Sequence, residues 1–598
     1  MRFSRPLAHT LVAVAAAASL TAGVAPATHA GPMLAGPPKL TGADLKFDHP
    51  GTTLRPGKPA QAGLDPAAVA RLAPDVASFM TADPAANRPN PLYPGAVVLA
   101  ARRGVVVTHQ AMGQAVRYEK LTGDTPAKPV ELPRDKWVDT RTDTIYDMAS
   151  VSKLFTTIVA MRLQEQGRIE LDAPVARYIP AYAQNGKDRI TIRHLLTHTS
   201  GLRSGLPLWR DWHDVEARYA AVYADTPINP LGTKYLYSDL NLIALGRVAE
   251  TVSGKRLDRL VSEIITGPLA MADTGYNPPK EKLDRIAATE WQPWTRGQLI
   301  RGTVHDENCL SLGGVSGHAG IFSTAGDTAV LAQTLLNGGR YDRYRMLREP
   351  TVRLLFTNFN THLPDEDHSL GFDLNQRWYM GAMSSPVSAG HTGYTGTSLV
   401  LDPVANSFLV LLTNRVHPSR DWGSINPARV TAARDLALAV PVRSAGPRPA
   451  WFSGIGNNRD VSLGLPIQLA QGGRARFALW FDTESSAAEG QDAAVLEAQT
   501  AAGWKPVSTR LRTGRYDWTV PGTFAGWSGR RWLTADAQLP AGTTALRWRY
   551  TTDVGDESRG VHVDQVRVHD KAGKVVFDDR RRADAGRYQA GGWVRSAS

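Results

Sequence analysis

The sequence predicts a mixed α/β (α+β) region followed by an all-β sandwich. Three observations carry this: hairpin and helix signatures alternate up to about residue 440, helical periodicity largely disappears after about residue 451, and a proline- and glycine-rich segment separates the two stretches. At 598 residues the chain is too long for one core of ordinary size, so two or more domains are expected. Hydrophobic residues at 42% and charged residues at 21% exclude a disordered or fibrous class.

The first thirty residues read as an export signal rather than as part of the fold. Arg2 and Arg5 give a positive start, Thr10 to Ala25 is almost wholly apolar or small, and Thr28-His29-Ala30 resembles a small-x-small cleavage site. The mature start is therefore expected near Gly31. No cysteine stands there to carry a lipid, and no later apolar run reaches the ~20 residues of a transmembrane anchor. A secreted, extracytoplasmic location follows. Residues 31–62, rich in Pro, Gly and Lys, are expected to form a linker.

Ala96 to Ala101 and Val105 to His109 are apolar runs around Arg102-Arg103-Gly104, a hairpin signature. From Ser152 to Gly167 the apolar residues Leu154, Phe155, Ile158, Val159, Met161 and Leu163 recur at helical spacing, with Gly167 suited to the cap. Thr395 to Leu401 and Phe408 to Leu412 form a second hairpin across Asp402-Pro403-Val404-Ala405-Asn406, which places His391-Thr392-Gly393 at the start of a strand. These elements give a folded region over 63–440. Pro441 to Ala450 reads as a linker, and 451–598 as a sandwich in which alternating runs such as Arg476-Phe477-Ala478-Leu479-Trp480-Phe481 recur between turns.

The formal charge is +12, of which Arg2 and Arg5 contribute two, leaving +10 on the mature chain. In an exported protein such a surplus favours an anionic envelope polymer as partner before nucleic acid; a basic composition shared with an arginine-rich proteome is the alternative. Cys309 is the single cysteine, so an intramolecular disulfide is excluded and a cysteine-rich metal site is implausible.

Ser150-Val151-Ser152-Lys153 is the one Ser-x-x-Lys of the chain. At a helix start, residues three apart share a face, so the amine reaches the hydroxyl. A serine is a weak nucleophile until a neighbouring base takes its proton. Alone the motif is weak, but Tyr237-Ser238-Asp239 and His391-Thr392-Gly393 follow it in order. That succession resembles the Ser-x-x-Lys, Tyr-x-Asn and Lys-Thr-Gly pattern of penicillin-binding proteins and class C β-lactamases, with related esterases and D-amino-acid peptidases. Tyr146 to Ala149, Ile190 to Leu202, Val304 to Asn308 and Gly317 to Thr324 also resemble stretches of this group, closest to exported D-alanyl-D-alanine carboxypeptidase-type proteins.

The resemblance implies a β-lactamase/transpeptidase-like domain, an antiparallel sheet flanked by helices, over 63–440. It implies that Ser150 attacks a carbonyl, that Lys153 and Tyr237 move its proton, and that the backbone N–H groups of Ser150 and Tyr394 form the oxyanion hole. Asp239, His391, Thr392 and Gly393 become the substrate-binding set, with no metal or organic cofactor, and the substrate a small molecule or peptide of cell-wall type. Two departures weigh on this. Ionised Asp239 accepts but cannot donate to an amide carbonyl, and is free to hold Lys153 instead. His391 attracts a substrate carboxylate less than lysine would. Efficient β-lactam hydrolysis is therefore not expected. A carboxylesterase using the same residues is one alternative; an envelope-binding protein with a vestigial hydrolase region is another.

His194 and His198 have the i, i+4 spacing of paired zinc ligands, but Leu195 and Leu196 stand where a metalloprotease has its Glu, so a structural role is expected. In the C-terminal region Leu479 to Glu484, Arg549 to Asp553 and Gly560 to Asp564 resemble the β-sandwich accessory module of immune-inhibitor-A-type metallopeptidases. Trp480, Trp504, Trp518, Trp527, Trp532 and Trp548 are expected mainly to fill that core, with sugar stacking as the alternative. Asp553, Asp556 and Asp564 match no defined calcium loop.

Overall fold

The computed structural model describes residues 37, 39–47, 49, 51–123, 127–483, 492–555 and 557–596. The expected export signal, Glu484 and Asp556 lie outside them. Helices α1 (Pro66–Ser78), α2 (Ser152–Glu165), α3 (Asp239–Ser253), α4 (Ala325–Leu336) and α5 (Asn426–Ala439) surround a sheet. Its main strands are β1 (Gly95–Arg102), β2 (Val105–Val116), β3 (Asp373–Leu374), β4 (Ala389–Thr392), β5 (Thr397–Asp402) and β6 (Ser407–Thr413), in the spatial order β2-β1-β6-β5-β4-β3. Every neighbouring pair among these six is antiparallel.

Period-two alternation explains why the central strands are apolar throughout. Val97, Leu99, Leu399, Leu401, Phe408 and Val410 enter one core with α2, α3 and α4. Ala96, Val98, Ala100, Val400, Leu409 and Leu411 enter another with α1 and α5. The sheet is thus covered on both faces, which fixes its register because a one-residue slip would exchange the two cores.

Two expectations are corrected here. Residues 42–47 and 51–62, part of the 31–62 stretch read as linker, are folded against the sheet: Leu45 is buried in the first core, Arg55–Pro56 pairs in parallel with β2, and Arg353 donates to the carbonyls of Gly42, Ala43 and Leu45. One apolar side chain and one guanidinium supplying several donors suffice to anchor an otherwise irregular stretch. The His391-Thr392-Gly393 motif ends a strand rather than opening one, since β4 closes at Thr392 and the chain turns through Gly393 to Gly396 into β5. Gly396 at φ +108° supplies the conformation that the turn requires.

The C-terminal region is all β. One sheet holds Gly473–Asp482, Thr509–Thr513, Leu533–Leu539 and Gly560–Asp570; the other holds Asp460–Leu469, Ala493–Thr500 and Thr543–Thr551. Their inward residues form a separate core in which the Trp548 ring meets Phe477 edge-on at 5.2 Å. Trp480 and Trp548 are buried, whereas Trp504, Trp518, Trp527 and Trp532 are half-buried. Asp564 accepts from the amides of Gly446 and Gln565, and Asp553 from that of Gly555. Among the described residues no cluster of three or more His, Cys, Asp or Glu side chains is arranged to hold a metal, and no helix is long and apolar enough to cross a membrane.

The two parts are joined by buried charge. Arg530 of the sandwich pairs with Asp402 at the end of β5 and lies 3.5 Å from Asp482, while Arg377 donates to the Thr483 carbonyl at 2.9 Å and to the Ser558 hydroxyl.

Candidate active site

Ser150 stands on a turn that the chain holds under strain. Ala149, immediately before it, has φ +46°, a conformation costly for any residue with a Cβ. The Asp147 carboxylate holds that turn from inside, accepting from Ala149 N at 2.8 Å and from His305 N at 2.6 Å. Burial pushes the Asp147 carboxyl above its ordinary range, against the pull of those two amides. Helix α2 then starts at Ser152 and presents Lys153 one turn along.

Lys153 is 1% exposed, and its Nζ lies 3.0 Å from Ser150 Oγ, 3.0 Å from the His318 carbonyl and 2.7 Å from Asp239 Oδ1. Three contacts match the three donors of an ammonium, or the two donors and one lone pair of a neutral amine that accepts the serine proton. Asp239 therefore sits where it holds Lys153. The Gly317-His318-Ala319-Gly320 loop contributes backbone: Thr156 donates to the Gly317 carbonyl at 2.8 Å beside the bond from Lys153 to His318. A Cβ at Gly317 would lie 1.9 Å from the Leu242 carbonyl of α3, so the loop reaches this helix only as glycine. The His318 ring faces away, bridging Ser316 and Asp306.

Tyr237 is brought to the same point. Its ring centroid lies 4.8 Å from Lys153 Nζ, and it lines the same cavity as Ser150. Burial, reinforced by the Asp239 charge, holds the phenol well above its ordinary range, so it stays protonated. Ser238 N donates to His198 Nδ1 at 3.1 Å and Asn241 approaches the same nitrogen, so His198 supports the Tyr237 loop. His194 Nδ1 instead meets Thr191, which leaves the two histidines in separate roles.

The turn after β4 packs on the Ser150 turn. Thr395 Oγ1 donates to the Asp147 carbonyl at 2.7 Å and Thr397 Oγ1 to that of Met148 at 3.0 Å. A Cβ at Gly393 would lie 2.1 Å from Thr397 Oγ1 and 2.5 Å from the Met148 carbonyl, so this close approach requires glycine. It brings the backbone at Tyr394 to the cavity that Ser150 also lines. Tyr394 itself is half exposed, with the Arg415 guanidinium 5.0 Å from its ring centroid.

His391 lines that cavity as a neutral ring. Burial, then the neighbouring Lys153 charge, pushes it down to about 3. Its Nδ1 lies 2.7 Å from the Thr392 carbonyl, an acceptor, so Nδ1 carries the proton and Nε2 the lone pair. The cavity is about 600 Å³, lined also by Tyr235, Tyr237, Thr392 and Gly393. Among the contributors that the motifs did not reveal are Glu366, Asp367, Asp373, Trp378, Arg415 and Arg429. None belongs to a motif. Asp373 is one acidic residue in an apolar run and Arg429 lies in the first turn of α5, so only tertiary pairing brings them to the cavity.

A family model described as Beta-lactamase matches residues 85–434. An Escherichia coli (strain K12) protein named "Putative D-alanyl-D-alanine carboxypeptidase" is 35% identical over 358 residues, covering 54% of this chain and 79% of the relative. A Bacillus subtilis (strain 168) protein named N-acetylmuramyl-L-alanine amidase is 32% identical over 358 residues, covering 54% and 78%. Among solved structures, a penicillin-binding protein homolog from Caulobacter crescentus is similar at TM-score 0.47 and 22% identity, over 63% of this chain and 99% of that one.

Proposed function

Since the chain belongs to the β-lactamase family of serine hydrolases, we propose that it cleaves an amide or ester through an acyl-enzyme on Ser150, with D-alanyl peptides of cell-wall type as the preferred substrate. The observation that carries this is the 3.0 Å approach of Lys153 Nζ to Ser150 Oγ, with the Tyr237 ring 4.8 Å from that amine on the wall of the same cavity. The amide bonds in the names of the Escherichia coli and Bacillus subtilis relatives support a peptide substrate.

In this reading Ser150 Oγ bonds to the carbonyl carbon as its proton passes to the Lys153 amine. Asp239 at 2.7 Å stabilises the resulting ammonium. The amides of Ser150 and Tyr394 take the developing oxyanion; one such donor contributes about 3 kcal/mol in related chemistry. The proton then passes through Tyr237 to the leaving nitrogen or oxygen as its bond to the carbonyl breaks. Water next attacks the ester carbonyl, gives its proton back along the same route, and releases the acid and Ser150. In this reading the N-terminal stretch acts as an export signal and the chemistry takes place outside the cytoplasm, where the surplus positive charge suits an anionic envelope polymer as a partner.

One observation favours the ester alternative: His391 is neutral, so the position that a lysine would occupy offers no charge to a substrate carboxylate. Steady-state kinetics on a D-alanyl-D-alanine peptide and on the matched short-chain ester separate the two. A larger kcat/KM for the peptide supports the peptidase; turnover of the ester alone assigns a carboxylesterase.

A further inference from the structure

The uncommitted polar groups of the active-site cavity are mostly acceptors. Glu366, Asp367 and Asp373 line one stretch of its wall. Among the described residues none of the three has a Lys or Arg nitrogen within 4.0 Å; only the His368 ring approaches Asp373, at 3.6 Å. That ring is neutral, since burial pushes it down to about 4. Asp367 is held by the amides of Asn358 and Asn375, and Asp373 accepts from the Tyr379 hydroxyl at 3.3 Å, all uncharged partners. Burial raises all three carboxyl groups, Asp373 to about 7.

A second observation is independent of these carboxylates. His391 is 3% exposed and lines the same cavity, and its Nε2 lone pair has no hydrogen-bond partner among the described residues. The cationic side chains of the cavity are differently placed. Arg429 donates to the carbonyls of Gly393 and Thr397 and to Asn426, and Arg415 to those of Tyr394, Arg420 and Gly423. Most of their donors hold the backbone around the turn after β4, while Arg429 Nε has no hydrogen-bond partner among the described residues. A buried acceptor without a donor and a buried carboxylate without a cation both cost free energy that a ligand can recover.

Resting on the acyl-enzyme reading above, we propose that the substrate carries a free primary ammonium group, seated against Asp373 with Glu366 and Asp367 around it, and that His391 Nε2 accepts a hydrogen bond from a substrate N–H or O–H. The site thereby selects cationic acyl donors. An N-acetylated substrate leaves Asp373 without a counter-charge and loses the selection.

The test is a panel of p-nitroanilides and p-nitrophenyl esters of D-amino acids, with the amine on the α-carbon or at the end of a side chain. Each member is paired with its N-acetyl twin. For wild type at pH 8, at least one amine-bearing member is expected to exceed its twin in kcat/KM by about tenfold or more, and in Asp373→Asn that ratio is expected to fall to about one. Equality in every wild-type pair, or a ratio that survives Asp373→Asn, overturns the ammonium site. Circular dichroism monitors the fold of that variant; should it fail to fold, Glu366→Gln, nearer the solvent, is expected to reduce the same ratio, and an unchanged ratio counts against the site. Calorimetry of both members on Ser150→Ala separates this proposal from the reaction itself. Amine-selective binding without turnover by wild type contradicts the acyl-enzyme reading alone, whereas turnover without amine selectivity contradicts the ammonium site alone.

Discussion

Arg377 Nη2 donates to the Thr483 carbonyl at 2.9 Å, which ties the segment carrying Gln376 and Trp378, both on the cavity wall, to the C-terminal sandwich. A division of labour in which residues 451–598 only bind an envelope surface does not accommodate that bond. Arg377→Met is expected to raise KM several-fold while changing kcat less, because it loosens a wall of the cavity and leaves the Ser150 turn intact. Unchanged KM would show that the sandwich does not shape the site.

Arg530 sits between Asp402 and Asp482, all three nearly inaccessible to water. Removing one partner of a buried ion pair leaves the other charge uncompensated, typically at about 3–5 kcal/mol. Arg530→Met should therefore lower the melting temperature measured by calorimetry, with the first transition moving most. The double variant Arg530→Met with Asp402→Leu should recover part of the loss, since it removes both members of one pair.

Lys153 and Asp239 are expected to differ in what they cost. Lys153→Ala removes the proton acceptor and should reduce kcat by roughly 10²–10⁴-fold. Asp239→Asn keeps a hydrogen-bonding group near Lys153 but loses the charge, so kcat should fall less and its pH profile should shift. Gly393→Ala forces the turn after β4 away from Met148, and a kcat loss of about 10²-fold or more with an unchanged circular dichroism spectrum is the expected result.

His562 supplies a pH prediction for stability. Its ring stacks on Phe452 at 4.5 Å between Trp480 and Trp532, and burial, then the Arg559 charge, pushes it down to about 3. An unfolded histidine titrates near 6.5. The folded state therefore binds fewer protons than the unfolded state between these values, so this contribution is complete above about pH 6.5 and is lost as pH falls toward 3. Replacing the ring by phenylalanine keeps the stack and removes the proton uptake. Between pH 7.5 and 5.5 the sandwich transition of His562→Phe should fall less than that of wild type; an equal fall would place the titration elsewhere.

The local elements were legible because their signals are local. The period-two runs around Arg102-Arg103-Gly104 and the helical spacing from Leu154 to Leu163 correspond to β1, β2 and α2. Ser150, Lys153, Tyr237 and His391 were findable because the chemistry fixes their residue types and order. The direction of His391 relative to its strand was not, since apolar residues after the motif gave β5 a clear start and hid the short β4 before it. Nor were the folding of residues 42–47 and 51–62 or the bond between Arg377 and Thr483. Each depends on a partner far along the chain, such as Arg353 for Gly42 or Thr483 for Arg377, and composition near the residue carries no trace of it.

Intact-mass spectrometry of the mature protein after a fluorophosphonate probe and, separately, after penicillin tests the central claim most directly, with Ser150→Ala alongside wild type. A single phosphonyl adduct on wild type that vanishes in Ser150→Ala is the predicted result, and a penicilloyl adduct with the same dependence would favour the peptidase over the esterase. A phosphonyl adduct that persists in Ser150→Ala, or none on folded wild type, would contradict the assignment of Ser150 as the nucleophile.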